Sequence, residues 1–137
     1  MILQEVLTAQ DHWGQGIVLI GKDELEAASF VNQMYDKDAL FKPTMAKELP
    51  FRLNVNEAIS YFIGGSVKED GGFAKKPWIS VRFENAKVNL YKGYAMAMGH
   101  YYFTDTNNTE TKVEYSFAYF KDEKGNIKIS LHHSSLP

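Results

Sequence analysis

The chain of 137 residues contains no cysteine, which removes disulfides, thiolate nucleophiles and cysteine-bearing zinc sites from consideration. Neither sign of charge is in large excess. A formal net charge of −2, with lysines and arginines scattered, offers no basic stripe for a phosphate backbone, so nucleic acid is not an expected partner. Long apolar runs are also missing. The opening MILQEVLTAQDHW is interrupted by Glu5 and Asp11 and carries no basic leader, so it reads as neither a signal peptide nor a membrane span. A soluble, cytoplasmic protein is the expectation. The phosphate-loop pattern, G-x-G-x-x-G and G-x-S-x-G are all lacking, which argues against a nucleotide fold and a nucleophile-elbow hydrolase.

What is present suits one ordinary domain spanning residues 1–137, with 45% hydrophobic residues to build a core. Leu3, Val6, Leu7, Trp13, Ile17 and Ile20 recur at helical spacing and predict a helix over 2–20. Gly14 and Gly16 weaken it, either by breaking it or by admitting a close neighbour. A second helix is expected over 22–36, with its acidic residues in the first turn. A short strand over 39–44 stops near Pro43, and Asn54 with Glu57 opens a third helix that Gly64 and Gly65 close. From Trp78 onward four β-branched and aromatic segments alternate with turn signals, which predicts an antiparallel meander. Helices first and sheet afterwards is the α+β pattern.

The tail ISLHHSSLP concentrates the polar groups of interest. Successive side chains of a strand face opposite ways. Ile127, Ile129 and Leu131 define a core face that continues into His133 and Ser135, leaving His132 and Ser134 on the other side with Lys128 and Ser130. The two histidines then cannot chelate one metal together unless the strand bends between them. Catalytic zinc usually takes three protein ligands, and with only four histidines in the chain no metal site is expected. A Ser–His–acid triad lacks any specified acid. Tyr61 lies on the flank of the stripe Val55, Ala58, Ile59, Phe62 and Ile63, which suggests a boundary tyrosine with its hydroxyl in water. Thr44 reads as the end of a strand, and Arg82 as a solvated ion-pair partner.

The segments WGQGIVLIGK, ALFKPT, AISYFIGG, GGFAKKPW, VRFENAKV, AMGHYYFTD, VEYSFAYFKDEKG and LHHSSLP together resemble the NTF2-like, SnoaL-like group with a cystatin-like fold, related to the association domain of calcium/calmodulin-dependent protein kinase II. Within it they are most similar to the iota-class carbonic anhydrases. The resemblance implies a cone of curved antiparallel sheet wrapped around N-terminal helices, with a pocket at the open end, and a homo-oligomer, commonly a dimer. It implies reversible hydration of carbon dioxide to bicarbonate in an aromatic-lined pocket with no metal and no cofactor. It also implies pocket roles for Thr44 of FKPT, Tyr61 of SYF, and one serine of HHSS. The motif alone leaves Ser134 and Ser135 both open. Strand alternation selects Ser135, with His133 beside it as the expected proton acceptor. The competing expectation is a non-enzymatic small-ligand or oligomerisation module of the same fold, since fold alone does not choose a function.

Overall fold

The computed structural model describes residues 1–137. Its elements are α1 (Leu3–Gly21), α2 (Ala27–Met34), β1 (Tyr35–Lys42), α3 (Val55–Ile63), a single 3-10 turn (Phe73–Lys75), β2 (Trp78–Leu90), β3 (Tyr94–Asp105), β4 (Glu110–Lys121) and β5 (Ile127–Ser135). The five strands form one curved sheet in the order β1-β5-β4-β3-β2. The expected meander is there: β2 to β5 pair antiparallel in sequence order. The early strand β1 then adds parallel to the free edge of β5. No helix is long and apolar enough to cross a membrane.

Helix α1 runs unbroken through both glycines because each lies where something comes close. A side chain at Gly16 would place its Cβ 2.2 Å from the Phe30 ring of α2, and one at Gly14 would meet Val81 of β2 at 3.2 Å. Val6, Ala9, Trp13, Ile17 and Ile20 form its buried stripe. Helix α2 is shorter than the pattern predicts. Residues 22–26 form a turn in which Asp23 takes a positive φ, so the acidic residues precede the helix rather than entering it. At the other end Tyr35 is already extended and pairs with Ile129, its ring drawn into the core. Tertiary contact here overrides local helix propensity. Helix α3 has the expected punctuation: Asn54 Oδ1 accepts the Glu57 N–H at 2.9 Å, and Gly64 ends it at a φ of 82°.

Curvature comes from bulges. Between Trp78 and Ser80, and again between Asn85 and Lys87, β2 carries one residue more than β3 opposite. Strand β5 does the same against β4, where Ile129 pairs with Tyr119 but Leu131 with Ala118. Each extra residue bends its strand and inverts the alternation beyond it. Thus Trp78 is buried while Ser80, Arg82 and Glu84 are exposed. Arg82 is the solvated partner expected, paired with Glu110.

One charged pair lies inside the fold. The guanidinium of Arg52 donates to both oxygens of Asp70 at 2.7 Å, and neither side chain is more than 2% exposed. Arg52 also donates to the carbonyls of Leu49 and Glu57, and Ser60 Oγ donates to Asp70 at 2.6 Å. Burial alone would raise the Asp70 carboxyl, but Arg52 and Ser60 outweigh it and hold it below its ordinary value. The pair fastens the segment after β1 to the loop after α3. Removing one partner strands the other charge in the interior, so Arg52→Leu and Asp70→Asn should each lower unfolding free energy by about 3–5 kcal/mol in urea titrations. The double variant should lose less than the sum of the two.

Candidate active site

The bulge at Ser130 decides which half of HHSS faces inward. Ile129 is buried, Leu131 is exposed, and beyond the extra residue His132 and Ser134 are buried while His133 is exposed and Ser135 only half-buried. Ser130 Oγ donates to the Ala118 carbonyl beside the bulge. The alternation expected from Ile127 and Ile129 is therefore reversed. His133 and Ser135 lie on the outer face of the sheet, and His132 and Ser134 belong to the interior.

His132 is 1% exposed and held between two rings: Phe117 of β4 stacks at 4.0 Å and Phe41 of β1 at 4.7 Å, each within 20° of parallel. The Trp13 indole meets it edge-on at 5.5 Å. Both ring nitrogens have partners. Tyr35 Oη lies 2.8 Å from Nδ1, and Tyr101 Oη lies 3.0 Å from Nε2. Trp13 Nε1 donates to Tyr35 Oη at 2.9 Å. On the other side Tyr101 Oη donates to Ser134 Oγ at 2.5 Å, and the hydroxyls of Ser134 and Thr44 share a hydrogen bond at 2.6 Å. A continuous row of polar groups thus runs from α1 through β1, β5 and β3 to the turn after β1.

Burial sets the electrostatics of this row. It pushes the His132 imidazolium well below its ordinary range and the hydroxyls of Tyr35 and Tyr101 well above theirs. All three are neutral at physiological pH. Tyr61, 6% exposed, is pushed by burial up to about 12. The expected boundary tyrosine is therefore a core residue, and α3 turns Ala58, Tyr61 and Phe62 inward while Ile63 is exposed. Donors of Met45 and Thr44 nearby soften the shift, yet neither makes a hydrogen bond to it. Tyr61 Oη is the one buried side-chain polar atom in the protein without a partner.

Thr44, Tyr61, Tyr101, His132 and Ser134 surround a small cavity, closed by Trp13, Phe41, Phe62 and Phe73. Its volume of about 10 Å³ is on the order of the room one water needs. Tyr61 and Phe73, stacked with ring centroids 5.5 Å apart, also line an outer cleft of about 320 Å³ with Met45, Lys76 and Trp78. The two rings form the partition between cleft and chamber.

Of the residues the sequence pointed to, Thr44, Tyr61 and Ser134 come together here, and His133 and Ser135 do not. No three histidine or carboxylate side chains converge as metal ligands anywhere in the fold. His100 lies on the outer face, 3.8 Å from Glu114. Sequence reasoning turned His132 to the wrong face and gave no site role to Tyr101, Tyr35 and Trp13. The signal available for the last three was their place among apolar neighbours, where a buried Tyr hydroxyl or Trp N–H needs a polar partner.

Residues 4–136 match the family model for metal-independent carbonic anhydrase. A metal-independent carbonic anhydrase from Nostoc sp. is 34% identical over 148 aligned residues, covering 97% of this chain and 72% of that protein. The crystal structure of a cyanobacterial iota-carbonic anhydrase complexed with bicarbonate superimposes with a TM-score of 0.92 at 33% identity, covering 100% of this chain and 93% of the other. A Xanthomonas campestris structure assigned to the calcium/calmodulin-dependent protein kinase II association domain shares the fold, with a TM-score of 0.74 at 24% identity and coverage of 100% and 89%. The NTF2-like architecture implied by the motifs is thus the observed one. With nearly its whole length in agreement, the chain belongs to the metal-independent, iota-class carbonic anhydrases, which hydrate carbon dioxide reversibly to bicarbonate.

Proposed function

We propose that the hydration takes place in the chamber bounded by Thr44, Tyr61 and Ser134, with the Thr44 and Tyr61 hydroxyls donating to the oxygens of carbon dioxide and bicarbonate and Ser134 holding the Thr44 hydroxyl in place. The observation that carries this reading is Tyr61 Oη, buried and without a partner beside the Thr44–Ser134 pair. A buried hydroxyl left unmet costs about 1–3 kcal/mol, which a ligand oxygen relieves. Apolar rings suit carbon dioxide, and fixed hydroxyl dipoles suit the charge that appears as it reacts. Water attacks the carbon, a C–O bond forms, and one C=O electron pair moves onto oxygen. Donors already aimed at that oxygen stabilise it without reorganising.

The proton of the attacking water goes to solvent by way of the outer cleft. His133, the expected acceptor, lies across the sheet. His132 is kept neutral by burial and has both nitrogens engaged, and Tyr61 remains a phenol up to about 12. The chamber orients and solvates; it does not supply a base.

Oxygen-isotope exchange between carbon dioxide and water, run with and without a strong chelator, tests the assignment. Exchange should persist in the chelator; Thr44→Ala and Tyr61→Phe should each reduce it by about a hundred-fold, as loss of one oxyanion donor does elsewhere, and Ser134→Ala should reduce it by releasing the Thr44 hydroxyl. Ser135→Ala and His133→Ala should leave it nearly unchanged. Full activity in Ser134→Ala together with loss in Ser135→Ala would reverse the assignment.

Burial of His132 also has a sign in stability. Its folded pKa lies below the ordinary 6.5, so between those two values the unfolded chain binds a proton that the folded one refuses. Stability therefore falls as pH drops below about 6.5, by up to about 1.4 kcal/mol per pH unit, and is independent of this group above it. Urea melts from pH 7.5 to 5 should show a shallower loss for His132→Gln than for the parent.

A homo-oligomer, with a dimer favoured, is the assembly we infer. Met96, Met98 and Leu131 stand exposed on the outer face of the sheet near His133, which supports burial against a second copy. Sedimentation equilibrium should return at least twice the 15.6 kDa chain mass.

A further inference from the structure

We propose that Trp13 and Tyr35 are positioning residues for the hydration site: they set which nitrogen of His132 carries the proton, and thereby the direction of the hydroxyl row that ends at Thr44. The inference rests on the reading of the chamber given above.

An indole N–H can only donate. Trp13 donates to Tyr35 Oη at 2.9 Å, so the hydrogen of that hydroxyl must find another acceptor. The acceptor in reach is His132 Nδ1 at 2.8 Å. A neutral imidazole that accepts at Nδ1 carries its proton on Nε2, which then donates to Tyr101 Oη at 3.0 Å. Tyr101 passes its hydrogen to Ser134 Oγ at 2.5 Å, and Ser134, already accepting, donates to Thr44 Oγ1 at 2.6 Å. Within the protein the row ends there. The Thr44 hydrogen is left to point at a ligand oxygen.

The opposite tautomer reverses every step. A proton on Nδ1 would aim at Tyr35 Oη, which already receives the Trp13 N–H. The Tyr35 hydrogen would then have no acceptor in the core. Tyr101 would donate to Nε2, Ser134 to Tyr101, and Thr44 to Ser134, so Thr44 would offer lone pairs to an oxygen that is gaining negative charge. Leaving one buried donor unmade is enough to bias the two tautomers by roughly ten-fold or more. A donor-only group on α1 thereby fixes the polarity of a hydroxyl it does not touch. Phenylalanine at position 35 would keep the ring packing and lose the bias.

The experiment is nitrogen-15 NMR of histidine-labelled protein at pH 7.5, with wild type and Tyr35→Phe, alongside isotope-exchange kinetics. Wild-type His132 should appear as the Nε2–H tautomer alone. Tyr35→Phe should show both tautomers and about a ten-fold lower kcat, with a dispersed amide spectrum reporting the retained fold. Should that variant not fold, the wild-type spectrum still decides. Wild-type His132 protonated on Nδ1 would overturn the proposal, as would a single Nε2–H form in Tyr35→Phe. A mixed tautomer with unchanged kcat would refute the positioning role. Thr44→Ala separates the two ideas: full activity there refutes the chamber itself, whatever the tautomer.

Discussion

An imidazole in a protein core needs a partner for each nitrogen, and much of this molecule is arranged around that need at His132. The ring is clamped by Phe41 and Phe117, so it cannot turn toward solvent. Its partners must come to it. Tyr35 reaches it from the first residue of β1, Tyr101 from the middle of β3, and Trp13 supports Tyr35 from α1. Four elements distant in sequence are thus held by hydrogen bonds with little tolerance for displacement, and losing any one leaves a neighbour unsatisfied in a low-dielectric interior.

The sheet makes this meeting point possible by bending. Bulges in β2 and β5 curl the strands over α1, and the inward faces carry Tyr101, Phe103, Tyr115, Phe117 and Tyr119. At the crossing of β2 and β3 the bend is tight enough that a Cβ at Gly99 would lie 2.2 Å from the Glu84 carbonyl oxygen. The Arg52–Asp70 pair holds the mouth in a similar way. It ties together the segments that flank Thr44 and Tyr61, and its buried charges are met by each other, by Ser60 and by the carbonyls of Leu49 and Glu57.

The order of helices and strands was legible because it follows from periodicity, and α3 was legible to its caps. Thr44 and Tyr61 were found through motif resemblance, not through pattern: a threonine after a proline and a tyrosine on a helix flank carry little information by themselves. The two serines were assigned to the wrong faces for a physical reason. Alternation is a local rule that holds until a strand gains a residue, and nothing in ISLHH marks the bulge: no glycine, no proline, no break in β propensity. Leu131, apolar and yet exposed, extended the wrong face by one step. The bulge is fixed by register against β4 and β1 together, which is information spread over three strands. Arg52 and Asp70 were invisible for the same reason, because a buried ion pair is defined by two positions 18 residues apart.

The chamber as it stands has room for about one water, less than two reactants need. If the hydration takes place there, as proposed, admitting carbon dioxide beside a water requires the stacked rings of Tyr61 and Phe73 to move apart, against the same dispersion that closes the core. Turnover and stability draw on one set of contacts. Looser packing at this partition would speed exchange with the cleft and weaken the dry, fixed surroundings on which the hydroxyls depend. On that proposal the tempo of the enzyme is a mechanical property of two aromatic rings.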